Sequence, residues 1–270
     1  MARPPVATPR RYVVQPLPRY REVVLDRLIG AARRFPVHAL VEFDVGEARS
    51  RLAVSDTPVS WTAFVIATIG RAVALHPEVN ARRAGHQVVL FGHVDLGATV
   101  ERELDGDVAL TVATIRDADQ KSCAAITEEL RRAKHGPDEE PERTALVTGL
   151  AHLPGPVRRT AIRLAGRRPR IAATFGPAVG VTSLGMFSRG GGWAIPVPPL
   201  TLIATVSGII ERPVVHEGSI LIRPMLPLTL SFDHGVVDGA PAARFVETLR
   251  DLTESAAALT ESGVSPGPAG

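Results

Sequence analysis

The stretch "SILIRPMLPLTLSFDHGVVDG", residues 219–239, joins a strand to a helix through a short polar turn. Its first fourteen residues form an apolar run that predicts a long strand. His234 and Asp238 follow, four residues apart, and Gly239 ends the stretch. From residue 238 to about 255, apolar residues recur at helical spacing; they are Phe245, Val246, Leu249 and Leu252. A rigid strand end is therefore expected to aim a histidine at the boundary between two elements.

His234 has the chemistry of a general base, because a histidine titrates near neutrality and can take a proton from a hydroxyl or a thiol. Gly235 leaves room for a substrate or for another backbone. Asp238 can orient a basic group or hold the turn, and Gly239 is expected to permit an unusual φ. An ordinary strand-to-helix turn with a hydrogen-bonded histidine is the alternative.

Strands and helices alternate irregularly along the rest of the chain. Helical spacing covers residues 20–34, 60–77 and 119–134, with Ser60 as an N-cap. Strand patterns cover residues 37–45, 87–91, 93–100, 107–115 and 201–210. Because the elements do not follow strict βαβ alternation, the pattern predicts an α/β (α+β) two-layer sandwich, a mixed sheet with packed helices.

Composition narrows the class of protein. Of 270 residues 45% are hydrophobic, enough for a sizeable core, and no apolar run is long enough for a transmembrane helix. The formal charge is only +3, without an aromatic-interleaved basic patch, so no nucleic-acid partner is expected. Cys123 is the only cysteine, which excludes an internal disulfide and fits a reducing cytoplasm. Its helical setting predicts a small core residue rather than a nucleophile.

Three other features have competing interpretations. The basic stretch 158–170 can lie on an anionic membrane surface or be a solvated helix face; we favour the second, with Ile162, Leu164 and Ile171 packed on the domain. Residues 188–193 are expected to form a mobile loop, and Trp193 either lines a substrate entrance or packs. His38, near the end of the first helix, is expected to be a core or surface histidine. No histidine has metal-ligand spacing, so no metal is predicted.

Residues 231–249, "SFDHGVVDGAPAARFVETL", resemble the His-x-x-x-Asp-Gly signature of the dihydrolipoamide acyltransferase catalytic domain of 2-oxoacid dehydrogenase complexes. This family has the chloramphenicol acetyltransferase-like fold. The resemblance covers roughly residues 20–255. Further matches occur in order at residues 76–81, 113–130, 180–187, 195–209 and 212–234.

The resemblance implies acyl transfer from coenzyme A, with His234 as the base that deprotonates a thiol, hydroxyl or amine acceptor. It also implies a hydroxyl donor for the developing oxyanion, often from another subunit of a homotrimer. In the matching "VTSLG" loop, Thr182 is the first candidate for this donor and Ser183 the second. Asp238 would be mainly structural, paired with an arginine, and Arg27 in the first helix is the candidate partner.

This sequence departs from the family pattern at several places. Gly235 replaces the usual arginine, Val197 replaces an asparagine, and the segment 135–175 replaces a short link. No Asp-Lys-Ala turn of a lipoyl domain is found. We therefore expect a free-standing catalytic domain over residues 19–258, an extended arm over 1–18 and a disordered tail over 259–270.

Three functions remain open at this point. The chain can be a CoA-dependent acyltransferase acting on a free acceptor or on an acyl carrier protein. It can be an acyltransferase core that serves lipoamide on a separate lipoyl protein. It can also be a non-catalytic scaffold or regulatory subunit that keeps the fold, a hypothesis sustained by the departures at Gly235 and Val197.

Overall fold

The computed structural model describes residues 19–104, 107–136, 149–150, 152–184, 191–197 and 199–260, together with Tyr12 and Val14. The helices are α1 (Arg19–Ala31), α2 (Gly46–Ala53), α3 (Trp61–Leu75), α4 (Cys123–His135), α5 (Gly155–Ala165), α6 (Pro169–Ala172) and α7 (Gly239–Glu254). The strands are β1 (Pro36–Asp44), β2 (Ala81–Ala84), β3 (Gln87–Leu90), β4 (Leu96–Leu104), β5 (Asp107–Ile115), β6 (Val179–Ser183), β7 (Leu202–Val206), β8 (Ile210–His216) and β9 (Ser219–Asp233). A 3₁₀ turn, Ala257–Leu259, follows α7.

A seven-stranded mixed sheet organises the described part of the chain. Its order is β1-β9-β7-β6-β4-β5, and β8 pairs with the first half of β9. The β4–β6 and β6–β7 pairs are parallel, while the other pairs are antiparallel. The predicted mixed sheet with packed helices is confirmed.

Strand β9 is long because its two halves pair with different strands. Its first half forms a hairpin with β8, and the exposed turn has Glu217 and Gly218 at positive φ. Its second half runs between β1 and β7 and is buried from Met225 to Asp233. A central strand buried on both faces reads as a nearly continuous apolar run, which is the pattern seen in the sequence.

The hydrophobic core lies between one face of the sheet and the helices α3 and α7. Ser60 caps α3 by accepting a hydrogen bond from the Ala63 N–H, as predicted. On α7, Phe245 packs edge to face against Phe232 of β9, with ring centroids 5.8 Å apart. Such aromatic pairs contribute about 0.5–1.5 kcal/mol beyond area burial. The core therefore fixes both the end of β9 and the start of α7, the two sides of the polar turn.

The β2–β3 hairpin is a separate two-stranded sheet held at the edge of the large one. The Arg82 guanidinium, almost fully buried, donates to the carbonyls of Ala172, Gly176 and Pro177 at 2.7–2.9 Å. These bonds join the hairpin to α6 and to the chain entering β6.

Helix α5 is anchored to α1 by a buried ion pair. The Arg158 guanidinium is 2% exposed and contacts the Asp26 carboxylate, whose side chain is 4% exposed. Arg158 also donates to the Leu153 carbonyl at 3.2 Å. One arginine of the basic stretch 158–170 is thus a core group, and Ile162 and Ile171 are half-buried, but Leu164 is 54% exposed. The prediction that Leu164 packs on the domain was wrong, because α5 turns Arg158 inward instead.

Two other predictions needed correction. The strand expected over residues 201–210 is broken at Ser207, whose N–H donates to Pro227 while β8 turns away to pair with the first half of β9. His38 lies within β1, not at a helix end, and its Nδ1 is 2.8 Å from Ser231 Oγ. Helix α2 was not predicted.

Several predictions fall outside the described residues. They concern the arm 1–18, apart from Tyr12 and Val14, the tail from residue 261, residues 137–148 and 151 of the segment 135–175, and residues 188–190 of the predicted loop. Within the described residues, no helix is both long and apolar enough to cross a membrane.

Candidate active site

The turn between β9 and α7 is held by backbone hydrogen bonds on both sides. The His234 N–H donates to the Phe35 carbonyl at 2.9 Å, which ties the turn to the chain entering β1. The N–H groups of Val236 and Val237 donate to the Asp233 carbonyl at 2.9 and 3.0 Å. The Asp233 carboxylate accepts from the Gly235 N–H at 3.0 Å. The histidine is therefore carried by a preorganised turn, as the strand-end position predicted.

The His234 side chain faces solvent with one nitrogen near a carboxylate. Its Nδ1 lies 3.4 Å from Asp238 Oδ1, and the two side chains are 46% and 83% exposed. This separation is longer than a strong hydrogen bond. With Nδ1 turned toward Asp238, Nε2 is left as the nitrogen for proton exchange.

Arg34 is an arginine that secures this turn. Arg34 Nη1 lies 2.5 Å from Asp233 Oδ2, and the Asp233 side chain is only 6% exposed. Arg27 lies on the exposed side of α1. Arg34 lies between the end of α1 and the start of β1. Because β1 begins opposite Asp233 in the sheet register, this position brings Arg34 next to the Asp233 carboxylate. The pair of Arg34 with Asp233 is observed, whereas the predicted pair of Arg27 with Asp238 stays a prediction.

Gly239 does not have the unusual φ that was expected, since its φ is not positive and it is the first residue of α7. Of the two glycines in this turn, Gly235 is the one with a close neighbour. A Cβ there would lie 3.2 Å from Asp233 Oδ1 and 3.3 Å from Arg83 Nη1. The guanidinium of Arg83, from the β2–β3 hairpin, therefore lies against the backbone beside His234, which the sequence did not reveal.

Thr182 and Ser183 lie at the end of β6, far from His234 of the same chain. The register aligns Thr182 with Thr205 of β7 and with Thr229 of β9. His234 follows Thr229 by five residues, roughly 16 Å along the strand, and β6 lies two strands away, roughly another 10 Å across. One chain does not bring the predicted base and the predicted hydroxyl together.

The row of aligned residues Thr182, Thr205 and Thr229 is more polar than is usual for the interior of a sheet. Thr205 and Thr229 are almost fully buried, and their hydroxyl oxygens have no hydrogen-bond partner among the described residues. They lie on the face away from α3 and α7, because Ala204 and Leu230 alternate with them into the core. This face also carries His38 and its Ser231 partner. A line of hydroxyls thus crosses the centre of the sheet beside Thr182.

The indole of Trp193 contacts β1, the strand at one edge of the sheet. Its Nε1–H donates to the Val41 carbonyl at 3.2 Å, and the residue is 39% exposed. Val197, where the family has an asparagine, is 48% exposed. Among the described residues, no three His, Cys, Asp or Glu side chains converge in a geometry that could hold a metal.

Removal of Arg34 is expected to loosen the turn at His234. Arg34→Ala leaves the buried Asp233 carboxylate without its ion-pair partner, and we expect a loss of about 1–3 kcal/mol in unfolding free energy. Urea denaturation measures this loss of unfolding free energy. The matched control is Arg49→Ala, whose pair with Glu211 is exposed on both sides (59% and 53%) and should contribute less than about 1 kcal/mol. Equal losses in the two variants would contradict a special role for Arg34.

Cys123 is a core residue, as predicted. It is 4% exposed, its Sγ–H donates to the Ala258 carbonyl at 3.2 Å, and burial raises its thiol pKa to about 11. At pH 8 only about 0.1% of such a thiol is thiolate, the reactive form. We expect negligible labelling by a disulfide reagent at pH 8 in the native protein and rapid labelling in urea. Fast labelling of the native protein would contradict the buried position.

A family model described as 2-oxoacid dehydrogenases acyltransferase (catalytic domain) matches residues 9–140 and 155–260. The succinyltransferase component of the Azotobacter vinelandii 2-oxoglutarate dehydrogenase complex is 26% identical over 201 residues, covering 74% of this chain. The chain spans only 43% of that relative's length.

Two solved structures have the same fold. The cubic core of a pyruvate dehydrogenase multienzyme complex superposes with a TM-score of 0.67 at 24% identity, covering 96% of this chain and 98% of the other. The Azotobacter vinelandii dihydrolipoamide acetyltransferase superposes with a TM-score of 0.69 at 23% identity and the same coverages. Work on that protein concerned a serine, a histidine and an asparagine in its catalytic mechanism.

Proposed function

The chain belongs to the 2-oxoacid dehydrogenase acyltransferase (catalytic domain) family, and from this we propose that it transfers an acyl group between coenzyme A and an acceptor. The acceptor is a thiol, a hydroxyl or an amine. The observation that carries the proposal is the turn at His234, where the backbone that bears a half-exposed imidazole is held by hydrogen bonds to Phe35 and Asp233, and Asp233 pairs with Arg34. A general base needs this combination of rigidity and access.

His234 acts as the base through Nε2, while Asp238 faces Nδ1 and favours the positive charge that forms on the ring. His234 removes the acceptor's proton as the acceptor attacks the thioester carbonyl carbon. The tetrahedral oxyanion then collapses, the C–S bond breaks, and the CoA thiolate leaves with the electron pair. The proton held by His234 passes to that thiolate, so the base is regenerated.

The oxyanion donor comes from a second copy of the chain. Thr182 is too far from His234 within one chain to reach the same carbonyl oxygen, by the register given above. A neighbouring copy that sets its β6 end against this turn would supply the Thr182 hydroxyl, with Ser183 as the second candidate. The proposed assembly is a homotrimer in which each site is shared by two subunits.

The identity of the acceptor separates two versions of this function. The Azotobacter vinelandii relative is named for a dihydrolipoyllysine residue, which favours lipoamide on a separate protein as one acceptor of this chain. A free thiol or amine, or an acyl carrier protein, is the other version. We place either reaction in the cytoplasm, and the basic stretch 158–170 on a solvated helix rather than on a membrane. A non-catalytic scaffold is the remaining alternative.

The deciding experiment measures release of CoA thiol from a panel of acyl-CoA esters. Dihydrolipoamide, a simple thiol and a simple amine serve as acceptors, and His234→Ala is run in parallel as the background. Turnover above that background supports an acyltransferase, and the best acceptor tells the two versions apart. If no pair exceeds the background while size measurements show an intact oligomer, the scaffold alternative replaces this proposal.

A further inference from the structure

A basic cavity lies at the same edge of the sheet as the His234 turn. Its volume is about 570 Å³, and it is formed by the turn of the β2–β3 hairpin and by the residue that connects α5 to α6. Its lining residues are Arg83, Ala84, Gly85, His86, Gln87 and Arg167. Arg167, from the connection between α5 and α6, gives the cavity a positive group that does not belong to the hairpin.

The cavity has positive groups without described counterions. Arg83 uses its Nε–H to donate to the Gly85 carbonyl at 3.2 Å, which fixes the guanidinium and leaves its Nη donors available. Neither Arg83 nor Arg167 forms an ion pair with any described residue, and no carboxylate lines the cavity. His86 adds a third group that can carry positive charge. Guanidinium forks match the two oxygens of a carboxylate or phosphate, so this lining suits an anion.

Hydrogen bonds to neighbouring segments fix the β2–β3 hairpin in this position. Arg82, the residue before Arg83, is buried and bonded to three carbonyls of the chain between α6 and β6. The Thr201 hydroxyl donates to the Ala81 carbonyl, which ties β2 to the start of β7. Arg83 is thus held on a rigid element, as a group that selects a substrate must be.

The distance from Arg83 to the backbone of His234 indicates which anion fits. Arg83 Nη1 is 3.3 Å from the position of a Cβ on Gly235, which places it within about 9 Å of the His234 Cα. A short dicarboxylic acyl group has its free carboxylate ~5 Å from its thioester carbonyl, whereas the nearest phosphate of CoA lies more than ~15 Å from the sulfur in an extended arm. The carboxylate matches the available span.

We propose that Arg83, assisted by Arg167, binds the free carboxylate of a short dicarboxylic acyl group and so selects the acyl-CoA that this chain uses. This inference rests on the proposed acyltransferase function. The carboxylate takes no part in the bond changes; the thioester C–S bond breaks and the acceptor bond forms as described above. Arg83 is a specificity-determining residue, and Gly235 is the position that leaves room for it.

The test compares succinyl-CoA with butyryl-CoA, which has the same chain length and no carboxylate. The wild type should prefer succinyl-CoA. Arg83→Gln should lower the succinyl-to-butyryl ratio of kcat/KM by about 10- to 100-fold, the value of a charge-assisted hydrogen bond, and Arg83→Lys should restore part of it. Arg168→Gln is the matched control, because it removes the same charge one residue from Arg167 without lining the cavity; it should leave the ratio unchanged.

Binding separates this inference from the proposed function. Calorimetric titration of His234→Ala, which cannot consume the esters, should show tighter binding of succinyl-CoA than of butyryl-CoA. This preference should disappear when Arg83→Gln is added to His234→Ala. Preference in binding without turnover by the wild type keeps the inference and rejects the acyltransferase. Turnover without preference rejects the inference alone. A loss shared by all CoA esters but absent with acyl-pantetheines would assign the cavity to a CoA phosphate and overturn the carboxylate assignment.

Discussion

Replacing His234 with alanine is expected to lower kcat by about 10²- to 10⁴-fold, the range for removal of a positioned general base. The loss should fall on kcat more than on KM, because the imidazole contributes to proton transfer and hardly to binding of the CoA arm. Stopped-flow or continuous thiol detection with the best acyl-CoA and acceptor from the panel measures it. The turn itself should survive, since its hydrogen bonds run through backbone atoms and through Asp233.

Asp238→Ala is the comparison for this variant. Its carboxylate is 83% exposed and 3.4 Å from the imidazole, so solvent screens its effect, and the loss in kcat should stay below about 10-fold. Unfolding curves of the two variants should match that of the wild type. A loss in Asp238→Ala as large as in His234→Ala would contradict the geometry of the turn, and normal turnover in His234→Ala would remove the base from the mechanism.

Thr182→Val is expected to lower kcat by about 10²- to 10³-fold, the cost of removing one oxyanion donor. Valine keeps the shape of threonine and its preference for strands, so β6 should pair as before. Two controls accompany it. Ser183→Ala tests the neighbouring hydroxyl, and Thr205→Val makes the same chemical change in the same row of the sheet, where the hydroxyl has no described partner. A large loss only in Ser183→Ala would move the donor to Ser183.

Mixing the two inactive variants tests whether the site is shared between subunits. If subunits of His234→Ala and Thr182→Val exchange randomly in a trimer, about one quarter of the sites combine an intact histidine with an intact threonine. Turnover should then recover to about a quarter of the wild-type value after refolding the mixture. Refolding each variant alone is the control. No recovery in well-formed mixed oligomers would show that both groups act within one chain or that neither acts.

Much of the fold was predictable because its elements have strong local patterns. The Ser60 cap, the apolar helix after it and the long strand β9 each follow from residues that are neighbours in sequence. The break between β7 and β8 was missed since it depends on which part of β9 each segment pairs with. The exposure of Leu164 and the burial of Arg158 were not predicted, because the partner of Arg158, Asp26, lies 132 residues away in sequence. Only the packing of α5 on α1 reveals that pair.

The same division applies to the candidate site. By itself the sequence determined the position of His234 at a strand end, the core role of Cys123 and the family, since all three depend on residue types at short spacing. Tertiary structure alone decided that Arg34 pairs with Asp233 in the turn, that Thr182 lies at the far end of the strands from His234, and that Arg83 occupies the space beside Gly235. The physical reason is that register and hairpin placement bring together groups separated by up to two hundred residues, and no local spacing records such contacts.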